Sequence, residues 1–211
     1  MVEVCVTIAI AVAAAGVILP AVSKLNALKN RTACAANLRQ LGTAFSSYRM
    51  GTYGRLPSRP SGLDQTNPHV FKYKNLPDSI APAMQSLAGS REVFYCPGNY
   101  DDRTPAGWWP YASGTVAATY QFPFLLKPSL WQVRRYDYDR LKPDAVLAAD
   151  YLGSDVSPTA PLAWNHERPS GGAPNGMNVL LGDGRVEWRT GAGGWVLWGR
   201  SGGPMNWYLA K

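Results

Sequence analysis

Residues 4–22 read VCVTIAIAVAAAGVILPAV, nineteen positions without a charge and with Thr7 as their one hydroxyl. Wound as an α-helix at 1.5 Å per residue, this stretch spans about 28 Å, close to the roughly 30 Å hydrocarbon core of a bilayer. A surface helix of a water-soluble fold shows one apolar face, whereas this run is apolar all round. A secretory signal peptide would put a cationic segment before the run and a polar break after it. Here Glu3 precedes the run, and residues 23–50 continue as SKLNALKNRTACAANLRQLGTAFSSYRM. In that continuation Leu25, Leu28, Ala35, Leu38, Leu41, Ala44, Phe45 and Tyr48 recur at three and four residues, the period of one helical stripe. Gly51 and Gly54 then supply the stop. The pattern predicts one helix of about 48 residues, some 70 Å long, apolar in its first half and amphipathic in its second. A body of about 160 residues cannot cover the first half, so lipid, sibling subunits, or each in turn must do so.

Working outward, the net charge of +7 is unevenly placed. The first 63 residues carry +6 and the remaining 148 carry +1. The basicity belongs to the long helix and its exit loop. It reads as a solvated or partner-facing side of the helix, and a nucleic-acid partner is not expected. The 21 Gly and 17 Pro predict a loop-rich body. Within it, residues 77–89 (PDSIAPAMQSLAG) can hold a short helix, and REVFYCPG puts Cys96 at the end of a short strand. AATYQFPFLL, DAVLAADY, GMNVLLGDGRVEWR and GWVLWG have the length and alternation of strands. Asp183-Gly184 between two apolar runs is a two-residue hairpin signal, glycine supplying the positive φ of a type I′ turn. The expected fold class is α+β. The expected divisions are residues 1–23 as a membrane or filament-core half-helix, 24–50 as an amphipathic half packed on the head, and 51–211 as a head with an antiparallel sheet.

Of the three cysteines, Cys5 lies in the apolar run without a lipobox-like context and reads as a small buried thiol. Cys34 and Cys96 remain as a pair with no metal-site spacing. In an extracytoplasmic body they form a disulfide, whose closed loop of about 60 residues contributes roughly 4 kcal/mol by chain entropy.

Glu3 and Pro20 break the apolar run. A carboxylate in hydrocarbon needs a cation, and the nearest in the chain is the terminal amine at Met1. Pro20 removes one helical hydrogen bond and favours a kink or local melting. Met1-Val2-Glu3, the apolar run to Pro20 and the charged amphipathic continuation resemble the mature N-terminus of type IV pilins and type II secretion pseudopilins. The seventeen-residue interval from Glu3 to Pro20 matches that family's spacing of glutamate and helix-breaking proline. The glutamate is third here and fifth in most members, and the short basic leader that a prepilin peptidase cuts does not precede it. A processed chain is expected. Further along, CAANLRQLGTAFSSY, Leu56-Pro57, FYCP, LAAD ending at Asp150, and His166 with NVLLGDGRVEW are similar to the bacterial H-X9-DG pseudopilin-like group, although sixteen residues rather than nine separate His166 from Asp183.

This resemblance implies a pilin-like fold and a helical homopolymer of identical subunits, with Met1, Glu3 and Pro20 as the assembly residues. Glu3 would pair with a neighbour's N-terminal amine, and the helix would unwind locally around Pro20 in the filament. It implies insertion in the inner membrane before assembly, prepilin peptidase and pilus or secretion machinery as partners, and an extracellular filament as the end state. The alternatives are a periplasmic pseudopilin of a type II secretion system, a DNA-uptake pilin, and a membrane-anchored glycan-binding module that never polymerises. The eight tryptophans and eleven tyrosines bear on the last of these, although core and interface packing accounts for most of them.

Catalysis is not expected. The two histidines are His69 and His166, no G-x-S-x-G or phosphate-cradling glycine loop occurs, and a disulfide withdraws two thiols from nucleophilic chemistry. Asp150, His166, Asn178 and Asp183 each begin or end a predicted strand and are weak candidates for a calcium site, without a D-x-D-x-D-G run behind them. Their blander roles are a strand-end cap, a loop anchor and turn chemistry.

Overall fold

The computed structural model describes residues 2–57, 70–72, 81–98, 116–122, 141–150, 152–153, 163–164, 166 and 176–190. Met1, His69, the strand expected in GWVLWG and most of the tryptophans lie outside them.

Helix α1 (Val2–Gly51) is one continuous element of 50 residues, about 75 Å long. Its helical assignment is unbroken through Pro20, so the chain is not melted there. A proline removes a single N–H from the ladder, the one that would bond the Gly16 carbonyl, and the remaining turns of the helix continue on either side of it. The apolar stripe enters the body later than its periodicity suggests. Leu25 and Leu28 remain exposed, and burial sets in with Cys34, Leu38, Leu41, Ala44 and Phe45.

The head packs on that last third. Among the described residues it holds β1 (Val70–Lys72), α2 (Ala81–Ala88), a 3-10 turn (Glu92–Phe94), β2 (Val116–Ala117), β3 (Tyr120–Gln121), β4 (Val146–Asp150), β5 (Leu152–Gly153), β6 (Ala163–Trp164), β7 (Gly176–Leu181) and β8 (Val186–Thr190). The short strand expected before Cys96 is the 3-10 turn. Its Tyr95 N–H bonds back to the Glu92 carbonyl at 3.0 Å, which turns the chain instead of extending it. Strands β3-β4-β7-β8 form the main sheet in that order, antiparallel throughout, while β1–β2 and β5–β6 are separate two-stranded pairs.

One sheet face meets α1. Leu38, Leu41, Ala44 and Phe45 join Phe94, Tyr120, Phe122, Ala148 and Leu180 in a single core, with Phe45 edge-on to Phe122 at 5.9 Å. Val146, Ala149, Val179 and Leu181 make a smaller cluster of their own. Polar ties add direction: Asn37 Nδ2 donates to the Tyr95 carbonyl at 3.0 Å, and Gln40 Nε2 to the Ala88 carbonyl at the end of α2 at 3.2 Å.

The β7–β8 hairpin forms where expected but with a different turn. Gly184 N–H bonds to the Leu181 carbonyl and Leu181 N–H to the Arg185 carbonyl, both at 2.9 Å, so three residues make the loop. Gly184 has positive φ (85°) and Asp183 does not. This is a type I turn followed by a left-handed residue, whereas type I′ needs positive φ at both central positions.

Candidate functional site

Two regions stand out, and they meet where α1 leaves the head. The first is the protruding helix itself. Ten large apolar side chains from Val2 to Val22 are 46–77% exposed, and the membrane-length window of α1 has no buried residue. The helix is long and apolar enough to cross a membrane. Cys5 is exposed here, a free thiol on the uncovered surface rather than a buried one. Glu3 lies in the first helical turn, and Thr7 Oγ1 donates to its carbonyl at 2.8 Å.

The second is a buried polar cluster between α1 and the sheet. The sheet register explains it. Tyr120 pairs with Asp150, Ala149 with Val179, and Asn178 with Trp188. Tyr120, Asp150, Asn178 and Trp188 therefore form a transverse row across four strands, on the face that meets the helix. Asp150 Oδ2 accepts from the Asn178 backbone N–H at 2.6 Å, from Asn178 Nδ2 at 3.0 Å and from His166 Nε2 at 3.2 Å. The Asp150 side chain is fully buried and that of His166 nearly so. Three donors on one carboxylate oxygen are the hydrogen bonding that a buried charge requires.

His166 approaches from a loop with φ of 59°, in the left-handed region that costs a non-glycine residue about 1–3 kcal/mol. Its N–H bonds to the Gly98 carbonyl at 2.9 Å, and its ring lies 5.5 Å edge-on from Trp188. Gly98 has to be glycine, since a Cβ there would stand 2.7 Å from His166 Nδ1.

The cluster is closed by sulfur. Cys34 and Cys96 form a disulfide with Cα atoms 5.1 Å apart. Cys96 Sγ lies 3.4 Å from His166 Nε2 and accepts from the Gly98 N–H at 3.3 Å. The helix takes part through its backbone and charge as well. The Arg31 carbonyl accepts from Asn178 Nδ2 at 3.4 Å, and the Arg31 guanidinium stacks 4.0 Å from the centre of the Trp188 ring. The disulfide, the stacked pair and this hydrogen bond all grip α1 between residues 31 and 34, which makes the cluster a clasp at the point where the helix emerges.

Of the four candidate ligands read from the sequence, Asp150, His166 and Asn178 come together. Asp183 does not: it lies in the hairpin turn beyond the far end of β7, where its Oδ1 accepts from the Arg185 N–H at 3.0 Å. Three strand steps to Leu181 and then the turn separate it from Asn178, about 10 Å along the strand alone. Cys34, Cys96, Asp150 and His166 offer ligand atoms that all lie within 4.8 Å of one another. Sequence reasoning missed Arg31, Gly98 and Trp188, whose roles depend on strand register and on a loop approach. The two-residue turn read from the sequence would have set Asn178 opposite Arg189, and the three-residue loop shifts the register by one to bring Trp188 there.

No protein-family model matches the chain, and no curated protein or solved structure matches it.

Proposed function

We propose that the chain is a structural subunit of a helical filament of the type IV pilin kind. In this reading it is held in a membrane by the first half of α1 before assembly, and packs that same half against sibling helices afterwards. The observation that carries the reading is the uncovered apolar rod. Burying a large aliphatic side chain is worth about 1.5–3 kcal/mol, so ten of them, each roughly six-tenths exposed, leave on the order of 10–20 kcal/mol unrealised in the isolated chain. That is comparable with the whole folding stability of an ordinary domain, about 5–15 kcal/mol. Such a surface requires a permanent partner, and an all-round apolar rod fits either lipid or a bundle of identical rods.

The rod's charge supports the bundle. Glu3 is the sole acid in the first 63 residues. At the tip of a rod buried among its siblings, an unpaired carboxylate costs several kcal/mol and is stabilised by a neighbour's cation, for which the pilin resemblance names the N-terminal amine. The clasp at residues 31–34 suits a subunit whose load passes from a protruding helix into its head.

Glu3→Ala tests this. Negative-stain microscopy of cells producing the variant should show filaments lost or stalled, while the heads stay folded by near-ultraviolet circular dichroism. Filaments of normal length and number from Glu3→Ala would refute the pairing. A wild-type chain that stays monomeric at every detergent dilution would replace the filament reading with that of a membrane-anchored module.

A further inference from the structure

The clasp contains a second chemistry that the disulfide hides. Two cysteine sulfurs, an imidazole nitrogen and a carboxylate oxygen come from four separate places in the chain: α1, the loop after the 3-10 turn, the end of β4 and the loop before β7. Their ligand atoms lie within 4.8 Å of one another, with Cys34, Cys96 and Asp150 buried. A four-donor set of this size and softness, S2NO, is what a tetrahedral zinc ion takes, with sulfur at about 2.3 Å and nitrogen or oxygen at about 2.0–2.2 Å. Calcium wants six to eight oxygens, and among the described residues the clasp offers carboxylate oxygen from Asp150 alone.

We propose that in its dithiol state the clasp is a zinc site, with Cys34 Sγ, Cys96 Sγ, Asp150 Oδ2 and His166 Nε2 as ligands. The disulfide and the metal are mutually exclusive closures of one joint, because sulfurs bonded to each other cannot both act as thiolates. The exchange balances with an external dithiol. It gives two electrons and two protons to the Cys34–Cys96 bond and leaves as its own disulfide. Zinc then displaces the two thiol protons to solvent and takes the Nε2 lone pair of the imidazole, the proton that Nε2 gives to Asp150 in the disulfide state passing to Nδ1. Freed from each other, the sulfurs separate to about 3.8 Å, the edge of a tetrahedron with 2.3 Å arms.

The surroundings are those of a supported ligand set. Asn178 already holds Asp150 through its backbone N–H and Nδ2, and hydrogen bonds of this kind orient metal-binding carboxylates. The packing of Gly98 and Trp188 on either side fixes the imidazole. Two thiolates and a carboxylate around a dication leave one net negative charge, and the Arg31 guanidinium stands one indole ring away. A chain not yet oxidised would keep α1 fastened to the sheet through the metal and hold both thiols away from Cys5 of other chains.

The proposal does not depend on polymerisation. Its test uses the full-length chain in detergent, with Cys5→Ser to remove the third thiol, reduced by a phosphine under anaerobic conditions and titrated with cobalt(II) as the probe and zinc as competitor. One equivalent of cobalt should bind, giving the intense visible bands of a tetrahedral ion together with near-ultraviolet thiolate-to-cobalt charge transfer, and zinc should displace it. The oxidised chain of the same sequence should bind neither metal, a comparison that needs no further substitution. His166→Ala should weaken zinc binding by at least the 10–100-fold typical of losing a supporting residue. A reduced chain that takes up no stoichiometric metal, folded or unfolded, would overturn the proposal. So would a cobalt spectrum without the thiolate band, binding by the oxidised chain, or undiminished affinity in His166→Ala.

Discussion

Replacing Cys34 and Cys96 together by alanine removes the covalent part of the clasp and leaves the hydrophobic core in place. The two cysteines are 62 residues apart. Opening a loop of that length restores to the unfolded chain an entropy worth about 4 kcal/mol at room temperature. The loss should fall on the whole head, because Cys34 is the first fully buried residue of α1 and Cys96 belongs to the same core. For a head of this size it corresponds to a drop in Tm of roughly 8–16 °C. At a urea slope of about 2 kcal/mol/M it is a fall in midpoint of about 2 M. The assay is urea unfolding of full-length chain in detergent, followed by tryptophan fluorescence, comparing the double variant with the parent under oxidising conditions. Helix residues 2–29 make no contribution, being solvated by detergent before and after. A loss below about 1 kcal/mol, the scale of an ordinary surface substitution, would refute the reasoning. Packing of Leu38, Leu41 and Phe45 would then hold the helix unaided.

Other expectations follow from particular contacts. Gly98→Ala should destabilise the head by about 1–3 kcal/mol, because its Cβ would meet His166 Nδ1 at 2.7 Å; urea midpoints check this. Burial, and after it the charge of Asp150, push the Tyr120 phenol well above its ordinary range, so the folded chain keeps a proton that the unfolded chain gives up near pH 10. Stability should therefore be flat with respect to this group below about pH 10 and fall by up to about 1.4 kcal/mol per pH unit above it. Urea titrations from pH 8 to 11 should show that fall, and Tyr120→Phe should make it shallower, the remainder coming from Tyr95, whose phenol burial also pushes up. Ile10→Lys puts a charge in the middle of the apolar rod, at about 2.5–3.5 kcal/mol in a bilayer centre, and should raise the fraction of chain that alkaline carbonate extracts from membranes relative to the parent.

The long helix was legible because two signals agreed: nineteen uncharged residues without a break, then a stripe of period 3.6 up to glycine. Its entry point was not, since Leu25 and Leu28 fit the stripe as well as Leu38 does, and only the body's finite size decides which of them it covers. The β7–β8 hairpin was visible in alternation and in Gly184, but the type of turn was not. The sequence GDG suits both a two-residue and a three-residue loop, and Asp183 keeps negative φ because its side chain caps the Arg185 N–H. Cys96 followed what read as a strand, and local bonding made a 3-10 turn instead. The cluster itself was half readable. Asp150, His166 and Asn178 announced themselves as polar residues at strand ends, while Arg31, Gly98 and Trp188 required the register that lines them up.

In a filament the apolar rod is covered by copies of itself, and electron cryomicroscopy of material sheared from cells producing the chain examines that directly. The predicted result is a helical polymer with residues 2–29 in a central bundle, heads outside, and Glu3 within ion-pair distance of a neighbouring subunit. Single chains with the rod wrapped in lipid or detergent, and no subunit-to-subunit helix contact, would contradict it.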